Sequence, residues 1–132
     1  MSIELTYLAY TIALFFVVVF LQAGAGIRNN GGLAMANNRD NLKPPGVMEG
    51  RTRRILYNHI EAMAMFAPLV LIAAVSNISN ETTVLAARLF FYSRVAFAII
   101  YYIGIPYVRT LVWLVGVAGT IMTFLALFGI IG

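Results

Sequence analysis

Cysteine is absent from this chain. Its absence excludes disulfides, thiolate metal sites and cysteine nucleophiles, and leaves the redox compartment unmarked. Histidine occurs once, as His59, which argues against a metal site built from the protein's own zinc ligands. Charge is scarce: 9 Lys and Arg, 5 Asp and Glu, 11% of the chain in all. With 61% hydrophobic residues and a mean hydropathy of +0.88, this excludes an ordinary water-soluble domain. Aromatic and basic residues do not interleave in the manner of an RNA-binding surface, so the net charge of +4 does not point to nucleic acid. Acids are scarcest where they would matter most. Only Glu61 lies well inside an apolar run.

What is present is a set of apolar runs long enough to cross a bilayer, which takes about 20 helical residues. They cover roughly residues 5–27, 53–75, 84–103 and 109–131 of a single domain, 1–132. The expected fold is all-α, an integral membrane four-helix bundle. Ala23-Gly24-Ala25 resembles a signal-peptide cleavage site, but no basic segment precedes the run and the run is too long for one. The first span is therefore expected to be retained, with Ala23, Gly24, Ala25 and Gly26 allowing close helix packing. Gln22 is the one amide in that span, available to bond across helices or to reach a ligand.

Breakers delimit the spans. Asn29-Asn30-Gly31-Gly32 and Lys43-Pro44-Pro45-Gly46 bound the long connection. From Arg28 to Arg54 the basic residues are Arg28, Arg39, Lys43, Arg51, Arg53 and Arg54, against Asp40 and Glu49. The positive-inside rule makes this loop cytoplasmic and puts both termini on the other side. Ser76 to Thr83 is a polar turn without a basic residue, as an outer loop should be. Pro68 should kink the second span, and Gly104-Ile-Pro-Tyr-Val108 is a tight inner turn. No internal repeat is visible.

Arg54, Asn58 and Glu61 are spaced four then three, which places them on one helical stripe. A charged residue at the centre of a span costs roughly 2.5–3.5 kcal/mol on insertion scales, so such residues face a partner or a cavity. Arg94 lies too deep in the third span to reach the headgroups and shares a face with Phe97 and Tyr101. Arg109, Thr110 and Trp113 open the fourth span. Arg54, Arg94 and Arg109 all fall in the inner half of the membrane, where Glu61 is the single carboxylate. One carboxylate cannot neutralise three guanidiniums, so the surplus predicts an anionic ligand. The competing expectation is that Glu61 pairs with Arg94 or Arg54 simply to hold helices together. His59 follows the stripe by one position and is expected to face away from it. Arg88 is expected to reach outward, Tyr7, Tyr10 and Tyr107 to sit at the interfaces, and Trp113 to pack.

The segment Arg51 to Leu71 resembles the second-helix signature of the MAPEG family, the membrane-associated proteins in eicosanoid and glutathione metabolism. In that signature an arginine, an asparagine four on and a glutamate three further lead into an aromatic- and proline-containing apolar run, as Arg54, Asn58, Glu61, Phe66 and Pro68 do here. The segment Ala87 to Thr110 resembles the family's third helix, its proline turn and the arginine that follows. The two motifs stand in the family's order, and the resemblance extends over essentially the whole chain.

The resemblance implies a homotrimer that binds glutathione between subunits near the cytosolic face. By it, Arg54, Asn58, Glu61, Arg94 and Tyr101 would line the glutathione site, and Arg109 would stabilise the thiolate. Thr110 stands where some members carry a small hydroxyl residue, and Arg28 would contact a carboxylate. Ala62, Phe97 and Trp113 depart from the polar residues of eicosanoid-pathway members, which favours a microsomal glutathione transferase-like activity, transferase or peroxidase, on a lipophilic substrate. A non-catalytic scaffold of the same family and a small four-helix transporter are the alternatives; retention of Arg109 and the absence of a first-span carboxylate argue against each in turn. Small size and the lack of a targeting signal point to a bacterial inner membrane, with the site facing the cytoplasm.

Overall fold

The computed structural model describes residues 1–132. Five helices account for most of them: α1 (Ile3–Asn30), a single-turn α2 (Gly32–Ala36), α3 (Val47–Val75), α4 (Glu81–Ile103) and α5 (Val108–Leu127). There are no strands. Helices α1, α3, α4 and α5 are each long and apolar enough to cross a membrane. The protein is thus all-helical and multi-pass.

Local chemistry sets the helix ends. Ser2 caps α1, its Oγ accepting from the Leu5 amide at 3.2 Å. Gly31, at φ 88°, ends α1 where the Asn-Asn-Gly-Gly run predicted a break. Asn80 and Thr83 form a reciprocal capping box at the start of α4. Gly104 closes α4 in the left-handed conformation, and the Arg51 guanidinium lies where its Cβ would be, 2.6 Å away. Arg51 Nη1 donates to the Tyr102 and Ile103 carbonyls, satisfying two orphan acceptors at that helix end. Several bounds differ from the sequence expectation. Helix α1 begins before Glu4 and runs past Arg28. Helix α3 starts at Val47, upstream of the apolar run, and continues through Pro68. Helix α5 stops at Leu127, short of 131.

The core lies between α1, α3 and α4. Leu8, Ala62, Phe66, Val70, Ala87 and Phe90 form its cluster, with the Phe66 and Phe90 rings stacked at 3.9 Å. Helix α5 packs chiefly on α4 and also on α3, and does not touch α1. Small residues permit the α4–α5 approach. A Cβ at Gly119 would stand 2.7 Å from the Ala86 carbonyl oxygen, and one at Gly116 would stand 2.7 Å from Ser93 Oγ.

Each end of the bundle has its own polar fastening. At the end carrying both termini, buried Glu4 accepts from Ser79 Oγ at 2.7 Å and from Thr83 Oγ1, joining α1 to α4. At the loop end, buried Glu49 accepts from Asn29 and Asn30 at 3.1 and 3.3 Å and pairs with Arg53 at 3.5 Å. Asn30 also accepts from the Lys43 amide at 2.8 Å, pinning the long connection to the end of α1.

Candidate functional site

At the loop end, α3, α4 and α5 bring together most of the residues singled out in the sequence. Tyr101 of α4 is the meeting point. Its hydroxyl accepts from Arg54 Nε at 2.7 Å, and the Arg109 guanidinium lies over its ring, 4.5 Å from the centroid. One turn back, Phe97 packs at a tilt against Tyr101, centroids 5.5 Å apart, and carries the Arg94 guanidinium at 4.8 Å. Arg94 Nη1 donates to Asn58 Oδ1 at 2.7 Å. Asn58, Phe97, Tyr101, Arg109, Thr110 and Trp113 line a cavity of ≈ 210 Å³.

The turn before α5 makes this geometry possible. The Val108 amide donates to the Pro106 carbonyl at 2.8 Å across Tyr107, whose φ and ψ are 68° and −46°. That is a γ-turn of the rare, strained kind. It reverses the chain so sharply that Arg109, at the start of α5, returns over the last turn of α4. Strain of this sort persists where the surrounding structure holds it and recurs at functional sites.

The charges are uncompensated. The only ion pair in the chain is Arg53 with Glu49, so Arg54, Arg94 and Arg109 have no carboxylate partner. Arg94 is 2% exposed, which makes it a buried cation held by an amide, an imidazole and an aromatic face alone. Aromatic faces and neutral acceptors can carry a guanidinium while leaving its charge available to an anion.

Two of the residues singled out in the sequence lie outside the cluster within one chain. Glu61 does not pair with Arg94 or Arg54; it lies on the stripe, exposed at the surface of the subunit. Arg28 does not join the cluster. It lines a separate cavity of ≈ 390 Å³ with Thr52 and Tyr102, because α1 lies away from α5. His59, expected to face away from the stripe, is buried at 1% exposure and in contact with Arg94. Glu4 is buried in the first turn of α1. The signal for His59 was present in the sequence. Ile55, His59, Ala62, Phe66, Val70 and Ala73 are all buried, and their spacing of three and four is that of a core stripe. A polar residue at one of its steps reads as a core residue with a partner.

A multi-pass helical membrane bundle with a cationic cluster at one end is the class that fold and geometry define. The chain belongs to the MAPEG family, whose sequence model matches residues 5–129. That family includes glutathione transferases and related membrane enzymes of glutathione and eicosanoid metabolism. Comparisons with curated proteins and with solved structures gave no match.

Proposed function

We propose that this protein is a microsomal glutathione transferase-like enzyme that activates the glutathione thiol for attack on a lipophilic electrophile or hydroperoxide. The observation that carries the reading is that three guanidiniums, none with a carboxylate, gather on Tyr101, Phe97 and Asn58, which line one cavity at the loop end together with Arg109. Glutathione has two carboxylates and an ammonium. Arg54 and Arg94 take carboxylates, for which the planar guanidinium is suited. Glu61, exposed and unpaired, takes the ammonium.

Chemistry then falls to Arg109 and Thr110. A thiol with a reference pKa of about 8.5 is mostly protonated at neutral pH. The Arg109 guanidinium favours the thiolate, the nucleophilic form, and the Thr110 hydroxyl donates to the sulfur. The thiol proton leaves to solvent. The thiolate then adds to, or displaces a group from, an electrophile arriving from the bilayer, or takes the terminal oxygen of a hydroperoxide. Holding both reactants in one site supplies proximity.

The site is completed by neighbouring subunits in a homotrimer. Two observations support this. The single-chain cavity of ≈ 210 Å³ falls below the roughly 300–1,000 Å³ of small-molecule pockets. Glu61 and Arg28 also stand exposed on separate faces, and an exposed carboxylate within a span is costly unless something covers it. The basic connection supports a site on the cytoplasmic side with the termini on the other.

The test is replacement of Arg109 by Ala, with turnover measured on a generic electrophile at saturating glutathione. Unchanged turnover removes the central step. A thiolate absorbance difference on adding glutathione separates catalysis from a non-catalytic scaffold, which shows none. A protein that binds no glutathione at millimolar thiol is neither, and a transporter role becomes the better account.

A further inference from the structure

We infer that His59 is a positioning residue: as a neutral imidazole it aims the Arg94 guanidinium at the anion site from behind. The inference rests on the glutathione reading for its functional consequence but not for its geometry.

His59 is buried where α1, α3 and α4 meet. Arg94 Nε lies 3.5 Å from its Nδ1, and its Nε2 lies 3.3 Å from the Thr11 carbonyl oxygen. A guanidinium has only donors, so Nδ1 must be the acceptor and carry no proton. The Thr11 carbonyl can only accept, so Nε2 carries the hydrogen. Both contacts are satisfied by one tautomer of the neutral ring and by no protonated form. Phe15 of α1 packs on the imidazole with centroids 5.4 Å apart, which fixes its plane. Thr11 is itself completely buried, its hydroxyl tied to the Tyr7 carbonyl at 2.8 Å. The ring is therefore anchored to α1, a helix that supplies nothing else to the cavity.

The consequence lies at Arg94. Asn58 holds Nη1, His59 holds Nε, and Phe97 lies beneath the plane. These three supports use two of the guanidinium's three nitrogens. The remaining one, Nη2, makes no hydrogen bond within the chain, and the side chain borders a void of ≈ 10 Å³ beside Trp113, which also lines the Arg109 cavity. Without the imidazole the guanidinium could turn about its last torsions and lose the alignment that a planar carboxylate pair requires.

The experiment uses the fact that His59 is the only histidine. In protein labelled with 15N-histidine, the imidazole nitrogens report one residue. Expected is a single tautomer, Nε2 protonated and Nδ1 bare, with the Nδ1 signal displaced in Arg94→Leu. A protonated Nδ1 overturns the proposal, whether or not glutathione binds. The second arm is glutathione affinity. His59→Leu should weaken binding about tenfold, the weight of one hydrogen bond to a charged group. His59→Asn places an amide oxygen near the Nδ1 position and should restore affinity to within about threefold of wild type. Equal weakening in both variants, or none in His59→Leu, overturns it. If His59→Leu fails to fold, the Asn variant and the label still decide. If the wild-type protein binds no glutathione, the reading of function falls, and the tautomer alone decides the positioning.

Discussion

A carboxylate at one end of the bundle and an arginine cluster at the other handle charge in opposite ways. At the terminal end a carboxylate, Glu4, is surrounded by hydroxyls and meets no cation. At the loop end three arginines are surrounded by aromatic rings, an amide and an imidazole and meet no carboxylate. The difference is one of purpose. Glu4 is 5% exposed, has two short hydrogen bonds from α4 and its turn, and joins helices that must stay together. It leaves one oxygen, Oε2, buried and unpaired, a cost the joint bears. Of the guanidiniums, Arg109 borders an open cavity, and none of the three is spent on a carboxylate. The first arrangement is a fastening and the second, on the proposed reading, a receptor.

Mutations can break or sharpen that contrast. The largest effect is expected at the receptor end. Arg109→Ala should lower turnover by about 10²–10³-fold, the usual weight of one preorganised charge-stabilising donor. A generic electrophile assay checks it, and Glu4 variants that still fold should show no such loss. Next comes Arg54→Ala, which should weaken glutathione binding by about 1.5–3 kcal/mol, as for a hydrogen bond to a charged group, with kcat at saturation held. Titration calorimetry on detergent-solubilised protein measures it.

The fastening should answer in the other currency. Glu4→Ala removes the hydrogen bonds from Ser79 and Thr83 that join α1 to α4 and should lower stability by about 1.5–3 kcal/mol. Thermal melting shows it, and glutathione affinity should not change. If affinity falls with Glu4→Ala as it does with Arg54→Ala, the division between the two ends is wrong. The smallest effect is expected between them. Gly119→Ala drives a methyl against the Ala86 carbonyl, where backbone cannot give way. Overpacking of about 1–3 kcal/mol, offset by about 1 kcal/mol of helix propensity, leaves a net loss of at most about 2 kcal/mol in the same melts.

Much of the site was legible before any coordinates. The stripe Arg54, Asn58, Glu61 and the face Arg94, Phe97, Tyr101 follow from helical periodicity alone, and so does the surplus of arginine over acid. The partners were not legible. Glu61 stood nearest in sequence to a positive stripe, yet its carboxylate turns out of the subunit. Arg28 shared the inner half of the membrane but not the cavity, because depth along a helix says nothing about which neighbour it faces. His59 was assigned by its distance from the polar stripe, when its place in the Ile55–Ala62–Phe66 stripe was the stronger signal. Glu49 and Arg51, read only as members of a charge-rich loop, are a loop anchor and a helix cap.

By itself the sequence determined that this chain is helical, that it lives in lipid, how many times it crosses, and that cations outnumber acids near one end. These are sums over short windows, and hydropathy and helical period add up residue by residue without reference to distant parts. Only the tertiary structure decided that Arg54 and Arg109 share Tyr101 and that Arg94 rests on Asn58 and His59. It alone showed that Glu61 is exposed while Glu4 and Glu49 are buried. Those contacts join residues 47 apart for Arg54 with Tyr101, 36 for Arg94 with Asn58 and 79 for Glu4 with Thr83. They depend on the rotation and axial register of whole helices against one another, which packing at Gly116, Gly119 and the Phe66–Phe90 stack sets and no local window contains.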